Sequence, residues 1–242
     1  MADSVQGGTL ADTQDGKPRL PRGRSRLPAI FVRAAHVERL RAATIAAVAE
    51  SGYAAVTVSD IVRRARVSRA AFYASYADKE ACFLDATREG GKLMSGRVVA
   101  ATRALPADAP DEEVLRVGCR AYLEFLADEP AFARAFYVDM PAAGPRAVER
   151  VSEAMLRFAE MTAKWHHRAR TRHPDWPVVP DDAYLALAGA MGELLRFRVR
   201  ADQTKTLPEL EDTLVRIHLA VLAGQPWPAP ADLPAGLLAD SA

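Results

Sequence analysis

The chain has 242 residues, of which 50% are hydrophobic and 26% are charged, which is typical of a soluble globular protein and excludes a fibrous chain. Two isolated cysteines, Cys82 and Cys119, offer neither a disulfide framework nor a metal-binding spacing, so we expect a reducing, cytoplasmic environment. The first ten residues lack the basic and apolar regions of a signal peptide, and no apolar run approaches the roughly 18 residues of a membrane span.

The charged residues are unevenly distributed along the chain. The net charge is +1, but residues 17–84 contain thirteen Lys and Arg against five Asp and Glu. A basic first third joined to an acidic remainder points to a polyanionic partner, such as a nucleic acid, for the basic part. Charge alone leaves open the alternative that the basic residues cluster by chance on a solvated surface.

Residues 1–33 are rich in Gly, Pro, Ser and Arg. Basic residues lie between the prolines of this segment at Lys17, Arg19, Arg22, Arg24 and Arg26. A segment of this composition buries too little apolar surface to order itself, so we predict a flexible basic arm. Such an arm could reach into a DNA minor groove, or it could serve only as a solubilising tail.

From residue 34 onward the apolar residues recur at helical spacing, and no segment alternates as a strand does. Val37, Leu40, Thr44 and Val48 lie on one face of the first helix, and Gly52 marks its end. The sequence therefore predicts an all-α protein.

Three short helical segments follow. Thr57 and Asp60 have the spacing of a capping box, which predicts a helix over residues 58–66. Ser68 and Asp78 are suitable N-cap residues for a second short helix ending near residue 75 and for a third that begins at Lys79.

Prolines separate the longer amphipathic helices of the remaining chain. We predict these helices over residues 79–105, 111–128, 130–140, 146–172, 181–201 and 207–223. The tail from residue 225 contains four prolines and is expected to be irregular.

A helix-turn-helix pattern is visible in residues 59–75, where "SDIVRRA", "RVS" and "RAAFYAS" supply its three parts. In DNA-binding proteins with this motif, the second helix enters the major groove with its N-terminal residues on base edges. The start of that helix, Ser68, Arg69, Ala70 and Ala71, is small and basic. Small residues allow close approach to the groove, and the Arg69 guanidinium can donate two hydrogen bonds to a guanine.

At these residues the sequence resembles the TetR family of bacterial regulators. The resemblance covers residues 52–86, and the family pattern is a glycine and an aromatic residue, a threonine, then "AGVS…LY.HF..K..L". The matching residues are Gly52, Tyr53, Thr57, Ala65, Val67, Ser68, Phe72, Tyr73, Tyr76 and Lys79. Arg66 departs from the pattern by replacing the usual turn glycine, and Ser75 replaces a frequent histidine.

The resemblance implies a role for each matching side chain. It implies contacts to backbone phosphates from Thr57, Tyr73 and Lys79, and contacts to base edges from Ser59, Arg69, Ala70 and Ala71. It implies a buried core made of Ile61, Val62, Ala65, Val67, Phe72 and Tyr76. The hydroxyl of Ser75 could donate to a phosphate in place of the histidine. A phosphate near Lys79 would also offset the unfavourable position of a cation in the first turn of a helix.

The helices beyond residue 85 carry stripes of aromatic and methionine side chains with a few hydroxyl groups. Such stripes usually pack a core, but the same mixture suits an adaptable apolar cavity. With the resemblance, we predict that a ligand is bound by residues among Tyr122, Phe125, Phe136, Met140, Met155, Phe158, Thr162, Trp165, Tyr184 and Met191.

The sequence contains no convincing catalytic or metal-binding pattern. His166 and His167 are adjacent and therefore point in different directions from a helix, without a partner ligand four residues away on the same face. Neither G-x-S-x-G, H-E-x-x-H nor a phosphate-binding P-loop occurs. We therefore expect a protein that is not an enzyme and that uses no metal or other cofactor.

The last two helices have the composition of a subunit interface. One carries a narrow apolar stripe and the other a face of small residues that allows close approach. The residues predicted to form a homodimer are Ala188, Gly189, Gly192, Leu210, Leu214, Ile217 and Val221. The alternative is that both stripes pack only within one chain.

These features predict a domain order and a function. The predicted parts are a basic arm (1–33), a three-helix helix-turn-helix DNA-binding domain (34–84), a larger helical ligand-binding and dimerisation domain (85–224) and a Pro-rich tail (225–242). We expect a homodimeric regulator, most often a repressor in this family, released from a pseudo-palindromic DNA operator by a small apolar or aromatic effector. Two alternatives stay open: an architectural DNA binder without a ligand, and a helical small-molecule-binding protein or enzyme whose helix-turn-helix is only a structural corner.

Overall fold

The computed structural model describes residues 8–12 and 29–226, and in these ranges every regular element is helical. The α-helices in chain order are α1 (Ala29–Ser51), α2 (Val58–Ala65), α3 (Arg69–Tyr73), α4 (Lys79–Arg103), α5 (Asp111–Asp128), α6 (Pro130–Arg134), α7 (Pro145–Arg172), α8 (Asp181–Arg200) and α9 (Glu211–Leu222). Shorter turns are 3₁₀ at Thr9–Ala11, Met140–Ala142 and Thr204–Leu210, and π-helical at Ala135–Asp139. The predicted all-α class is confirmed.

Helices α1, α2 and α3 form a small N-terminal bundle. Each of these helices contacts the other two, and each contributes a completely buried side chain: Leu40 from α1, Ile61 from α2 and Phe72 from α3. Helix α1 ends at Ser51 because Gly52 adopts a φ of 78°, a left-handed conformation that glycine tolerates, and its N–H donates to the Val48 carbonyl at 2.8 Å. The bundle therefore has the three-helix arrangement that its capping residues predict.

Helix α4 connects this bundle to the larger one by packing on both α1 and α5. The backbone of α4 approaches α6 closely at Gly90, where an added Cβ would lie 2.2 Å from a ring atom of Phe132. The predicted domain boundary between residues 84 and 85 falls within α4, which runs through it without a break. The position of that boundary stays a prediction.

Helices α5, α7, α8 and α9 make up most of the larger bundle. Its fully buried side chains include Leu123 and Leu126 of α5, Leu195 of α8 and Leu222 of α9. Helix α7 packs along α8, and α5 packs along α9 and the turn before it. Among the described residues, no helix has the length and apolar character needed to span a membrane.

Two predicted helices are subdivided in the structure. Residues 130–140 comprise α6, the π-helical turn Ala135–Asp139 and the start of a 3₁₀ turn, which contains Pro141. Residues 204–210 are a 3₁₀ turn that contains Pro208, and α9 begins only at Glu211. A proline has no amide hydrogen to donate four residues back, which limits an α-helix at both places.

The predicted flexible arm is corrected at two points. Helix α1 begins at Ala29, so residues 29–33 are helical. In addition, the backbone N–H groups of Thr9 and Leu10 donate to the Glu129 carboxylate, each at 2.9 Å, and Ala11 is buried. A buried carboxylate with backbone donors holds this short segment in place. Residues 1–7 and 13–28 lie outside the described residues, as does the tail from residue 227. The second of these ranges includes Lys17, Arg19, Arg22, Arg24 and Arg26 of the predicted arm.

Candidate nucleic-acid interface

The turn between α2 and α3 is built by residues close to one another in the sequence. Thr57 Oγ1 accepts from the Asp60 N–H while the Asp60 carboxylate accepts from the Thr57 N–H, which confirms the capping box. Arg66 ends α2 with φ 54° and ψ 40°, in the left-handed region that favours glycine. Ser68 Oγ then accepts from the Ala71 N–H at 3.1 Å and starts α3.

Helix α3 presents one polar face and one apolar face. Ser68, Arg69 and Ala70 are exposed at its N-terminus, and Ala71 is half-buried. Phe72 is completely buried, whereas the next residue, Tyr73, is 52% exposed. The side chains expected to meet a DNA groove are therefore available to it, together with Thr57 and Ser59, which are exposed on the α2 side.

Tyr76 is buried, as predicted from its place in the pattern, and it has a distinct partner. Its hydroxyl donates to Asp85 Oδ2 of α4 at 2.7 Å, and Arg41 Nε of α1 donates to the same oxygen at 2.7 Å. Burial, together with the hydrogen bond to Asp85, raises the pKa of Tyr76. The bond ties α4 to the segment that follows α3.

Lys79 has an internal role that the sequence does not indicate. Its ammonium donates to the carbonyls of Tyr53 at 2.8 Å and Val56 at 2.7 Å, and it lies 4.2 Å above the centre of the Tyr53 ring. Partial burial lowers the pKa of Lys79. Two of the three ammonium hydrogens are thus used to hold the loop between α1 and α2, and the predicted phosphate contact relies on the third.

The hydroxyl groups of Thr57 and Ser75 differ in their environment. Thr57 Oγ1 donates to Asp60 Oδ2 at 2.6 Å, so a phosphate must compete with that carboxylate for its hydrogen. Ser75 Oγ is buried and has no hydrogen-bond partner among the described residues. It lines a surface cavity of about 420 Å³ beside Arg33 and Arg146, rather than the exposed face of α3. Its predicted phosphate contact stays a prediction.

The larger bundle touches the N-terminal bundle close to Lys79 through two polar contacts. Asp139, at the end of the π-helical turn, accepts the Tyr53 N–H at 3.0 Å. Arg146, at the start of α7, donates to Glu80 at 2.7 Å and to Asp78 at 3.4 Å, in the first turn of α4 and its cap. These contacts join the π-helical turn and α7 to the loop before α2 and to the start of α4.

Four of the predicted ligand residues lie in one aromatic cluster. The ring of Tyr122 is 6.1 Å from that of Phe158, and Phe125 is joined to Phe136 through Phe132, with centroids 5.8 and 5.6 Å apart. Tyr137, which was not predicted, completes the cluster because its ring contacts Phe136 and its hydroxyl is hydrogen-bonded to that of Tyr122. Burial raises the pKa of Tyr122 to about 12.

Two other predicted residues belong to a second cluster. Trp165 and Tyr184 surround His166, whose Nδ1 is 2.8 Å from the Tyr184 hydroxyl and whose Nε2 donates to the Leu222 carbonyl at 2.7 Å. Trp176, which was not predicted, stacks on His166. His166 thus serves as a fully paired link between α7, α8 and α9, and not as half of a metal-binding pair.

The remaining predicted ligand residues are Met140, Met155, Thr162 and Met191. Met155 is half-buried and the other three are buried. A buried histidine, His218, was not predicted, although it lies four residues after Leu214 on the buried face of α9 and this spacing is visible in the sequence. The ligand-binding role of the whole set stays a prediction.

The residues predicted for dimerisation divide into two groups. Ala188, Leu210 and Leu214 are at most 5% exposed within one protomer, so they pack its own core. Gly189, Gly192 and Ile217 are half-buried. The surface left for a partner on α8 and α9 also includes Val221, Leu185 and Phe197, which are 41%, 38% and 55% exposed. A partner would meet these side chains and the half-buried glycines.

Comparisons with known proteins agree with this geometry. Residues 40–86 match the model of the bacterial regulatory proteins of the tetR family. A comparison with curated proteins gives no match. Among solved structures, the fatty acid degradation regulator FadR from Bacillus halodurans superposes with a TM-score of 0.66 at 16% identity, over 77% of this chain and 94% of that one.

Two further structures have the same fold. FadR from Bacillus subtilis, in complex with stearoyl-CoA, gives a TM-score of 0.65 at 16% identity, over 77% of this chain and 98% of that one. A TetR-like regulator from Rhodococcus sp. RHA1 gives 0.60 at 21% identity, over 83% of this chain and all of that one.

The exposed, capped α3 on a three-helix bundle, followed by a larger helical bundle, is the architecture of a helix-turn-helix protein with a second helical domain. Residues 40–86 match the family model and the fold is shared with solved regulators, so the chain is similar to the TetR family in its helix-turn-helix segment and in its fold.

Proposed function

We propose that the protein is a homodimeric repressor that binds a pseudo-palindromic operator and leaves it when a small apolar or aromatic effector binds the larger bundle. The observation that carries this proposal is the exposure of Arg69 and Tyr73 on α3 while Phe72 between them is completely buried. In this arrangement Arg69 contacts a base edge, and Tyr73 contacts a backbone phosphate together with Thr57 and Lys79. The two recognition helices of a dimer would be about 34–36 Å apart, or a multiple of this.

The aromatic cluster around Tyr122 and Phe158 supports an apolar effector. The contacts of Asp139 with Tyr53 and of Arg146 with Glu80 support a route from this cluster to α3. An effector that binds better to one arrangement of these contacts changes the spacing of the two α3 helices, and DNA and effector then oppose each other by linkage.

The experiment that tests DNA recognition is selection of bound fragments from sheared genomic DNA, followed by affinity measurements on the selected sites. Arg69→Ala is expected to relax discrimination at one base pair by about 1–3 kcal/mol. Tyr73→Ala serves as the matched variant and should weaken all sites alike. An equal loss on every sequence with Arg69→Ala would reassign Arg69 to a phosphate, and no selective binding by the wild type would refute the proposal.

A thermal-shift screen with apolar compounds tests the effector. Stearoyl-CoA belongs in that screen, because a solved structure of the same fold contains it. If selective DNA binding is found and no compound stabilises the protein or releases DNA, the architectural alternative is favoured. If compounds stabilise it and no DNA is selected, a helical small-molecule-binding protein is favoured instead.

A further inference from the structure

The larger bundle contains one buried polar atom without a partner next to the aromatic cluster. His218 is 1% exposed, and its Nε2 has no hydrogen-bond partner among the described residues. The His218 ring packs edge-on to Phe158, with centroids 6.3 Å apart, and Phe158 in turn contacts Tyr122. Buried polar atoms are normally hydrogen-bonded, so this nitrogen requires an explanation.

The protonation of His218 follows from its other nitrogen. Nδ1 is 2.7 Å from the Leu214 carbonyl, and because a carbonyl can only accept, Nδ1 must carry the hydrogen. Burial lowers the pKa of His218, so the ring is neutral near pH 7. In this tautomer Nε2 carries a lone pair and can only accept a hydrogen bond.

A spare donor lies in the same aromatic cluster, where Tyr122 also contacts Phe158. The hydroxyl groups of Tyr122 and Tyr137 are hydrogen-bonded to each other, so one donates and the accepting tyrosine keeps its own hydrogen. Neither hydroxyl has another partner among the described residues. Tyr137 and Phe158 are half-buried, so this cluster extends to the protein surface.

The paired histidine of the second cluster provides a comparison. His166 is also completely buried, but its Nδ1 and Nε2 are both hydrogen-bonded, to Tyr184 and to Leu222. An unpaired ring nitrogen therefore distinguishes His218 from His166.

We propose that Nε2 of His218 accepts a hydrogen bond from the effector, and that the effector is an uncharged apolar molecule bearing a hydroxyl or N–H group. The inference rests on the proposed function, since it names the chemistry of the effector. A hydroxyl suits the cluster because it can donate to His218 and accept from the tyrosine pair. A carboxylate does not, because it cannot donate to the lone pair of a neutral imidazole.

Calorimetric titration with matched probes tests this chemistry. The probes are 4-propylphenol, its methyl ether 4-propylanisole, and 4-propylbenzoate, which share one hydrocarbon skeleton. The wild type is expected to bind the phenol about ten-fold more tightly than the ether, because the ether has lost one hydrogen-bond donor. The benzoate is expected to bind more weakly than the phenol. Equal binding of phenol and ether, tighter binding of the benzoate, or no binding of the phenol at 1 mM overturns the proposal.

Two variants assign the preference to His218. His218→Leu should bind phenol and ether equally, and its melting temperature should not fall far, since an unpaired buried nitrogen is removed. His218→Gln keeps an acceptor oxygen and should restore the preference for the phenol. If the leucine variant is too unstable to measure, the glutamine variant alone provides the test. A preference that persists in His218→Leu, or a glutamine variant that does not restore it, refutes the assignment.

Operator binding by the same preparations separates this inference from the proposed function. If the protein binds a selected operator but only compounds without a donor release it, the effector chemistry is wrong and the proposed function stands. If the protein selects no operator, the proposed function fails, whatever the calorimetric preference shows.

Discussion

The backbone conformation of Arg66 is sterically unfavourable for a residue that has a Cβ atom. Its φ of 54° lies in the left-handed region, which costs a residue with a Cβ about 1–2 kcal/mol. Arg66→Gly is therefore expected to raise the free energy of unfolding by about 1 kcal/mol, measured by chemical denaturation. Arg66→Ala is the control, because it removes the side chain and retains the strain. A glycine variant no more stable than the alanine variant would show that the turn carries no strain.

Lys79 combines an internal role with the predicted phosphate contact. Lys79→Ala removes two hydrogen bonds to the Tyr53 and Val56 carbonyls, so we expect a loss of about 1–3 kcal/mol in stability together with weaker binding to every operator. Tyr73→Ala is the comparison, since Tyr73 is half exposed and its loss should weaken operators with little effect on the melting temperature. If Lys79→Ala binds operators as tightly as the wild type, Lys79 makes no phosphate contact and has only the internal role.

The π-helical turn Ala135–Asp139 is one of the elements of the larger bundle that contact the N-terminal bundle. Asp139 accepts the Tyr53 N–H through Oδ1, whereas its Oδ2 is buried without a partner among the described residues. Asp139→Asn keeps the accepting oxygen, so effector-induced release should persist. Asp139→Ala leaves the Tyr53 N–H without its partner and should lower both stability and coupling. Release measured by fluorescence anisotropy on operator DNA checks this, and unchanged coupling in the alanine variant would exclude the route.

Asp139 also has a predictable pH dependence. Burial raises its pKa above the ordinary value of 3.8, so the folded state holds this proton more tightly than the unfolded state. The free energy of unfolding of the wild type, relative to Asp139→Asn, should therefore fall as the pH rises from 3.8 through the raised pKa, and then level off. Denaturation curves of both proteins across this range give the comparison. A relative stability that rises with pH would contradict the assigned shift.

The N-terminal segment contains two functionally separate parts. Residues 8–12 are held by Glu129, so deleting residues 1–12 should lower the melting temperature and leave the salt dependence of DNA binding unchanged. A second variant has glutamine in place of Lys17, Arg19, Arg22, Arg24 and Arg26. It should keep the melting temperature of the wild type, and its DNA binding should depend less on salt because fewer counterions are released from DNA. A salt dependence that is the same in the glutamine variant as in the wild type would leave the arm without a role in binding.

At the scale of the whole molecule, we expect the dimer surface to lie on α8 and α9 and to include their exposed apolar residues, among them Phe197, which was not in the predicted set. Phe197→Glu should yield monomers in sedimentation analysis and weaken operator binding, since a charge would be buried at the interface. Leu93→Glu is the matched control, because Leu93 of α4 is 51% exposed, close to the 55% of Phe197, and lies on another helix. Dimers that persist in Phe197→Glu would place the interface elsewhere.

Local features could be predicted from the sequence because the residues that produce them are neighbours in the chain. The caps at Thr57, Ser68 and Asp78 and the end of α1 at Gly52 follow from spacings of a few residues. The exposed start of α3 follows from the same spacings. The burial of Tyr76 was implied by the resemblance to the TetR family. Stripes of apolar residues were less informative, because Leu210 and Leu214 have the spacing of an interface and are buried within one protomer.

The sequence alone determined the all-α class, the capped starts of α2, α3 and α4 and the helix-turn-helix, since capping and hydrophobic periodicity act over a few residues. Only the tertiary structure decided which distant residues meet. It brought Thr9 to Glu129, Asp139 to Tyr53 and His218 to Phe158, across separations of 120, 86 and 60 residues. Such contacts depend on how the helices pack against one another. The apolar stripe of a helix predicts which of its faces is buried, but it does not predict which residues of another helix that face will contact.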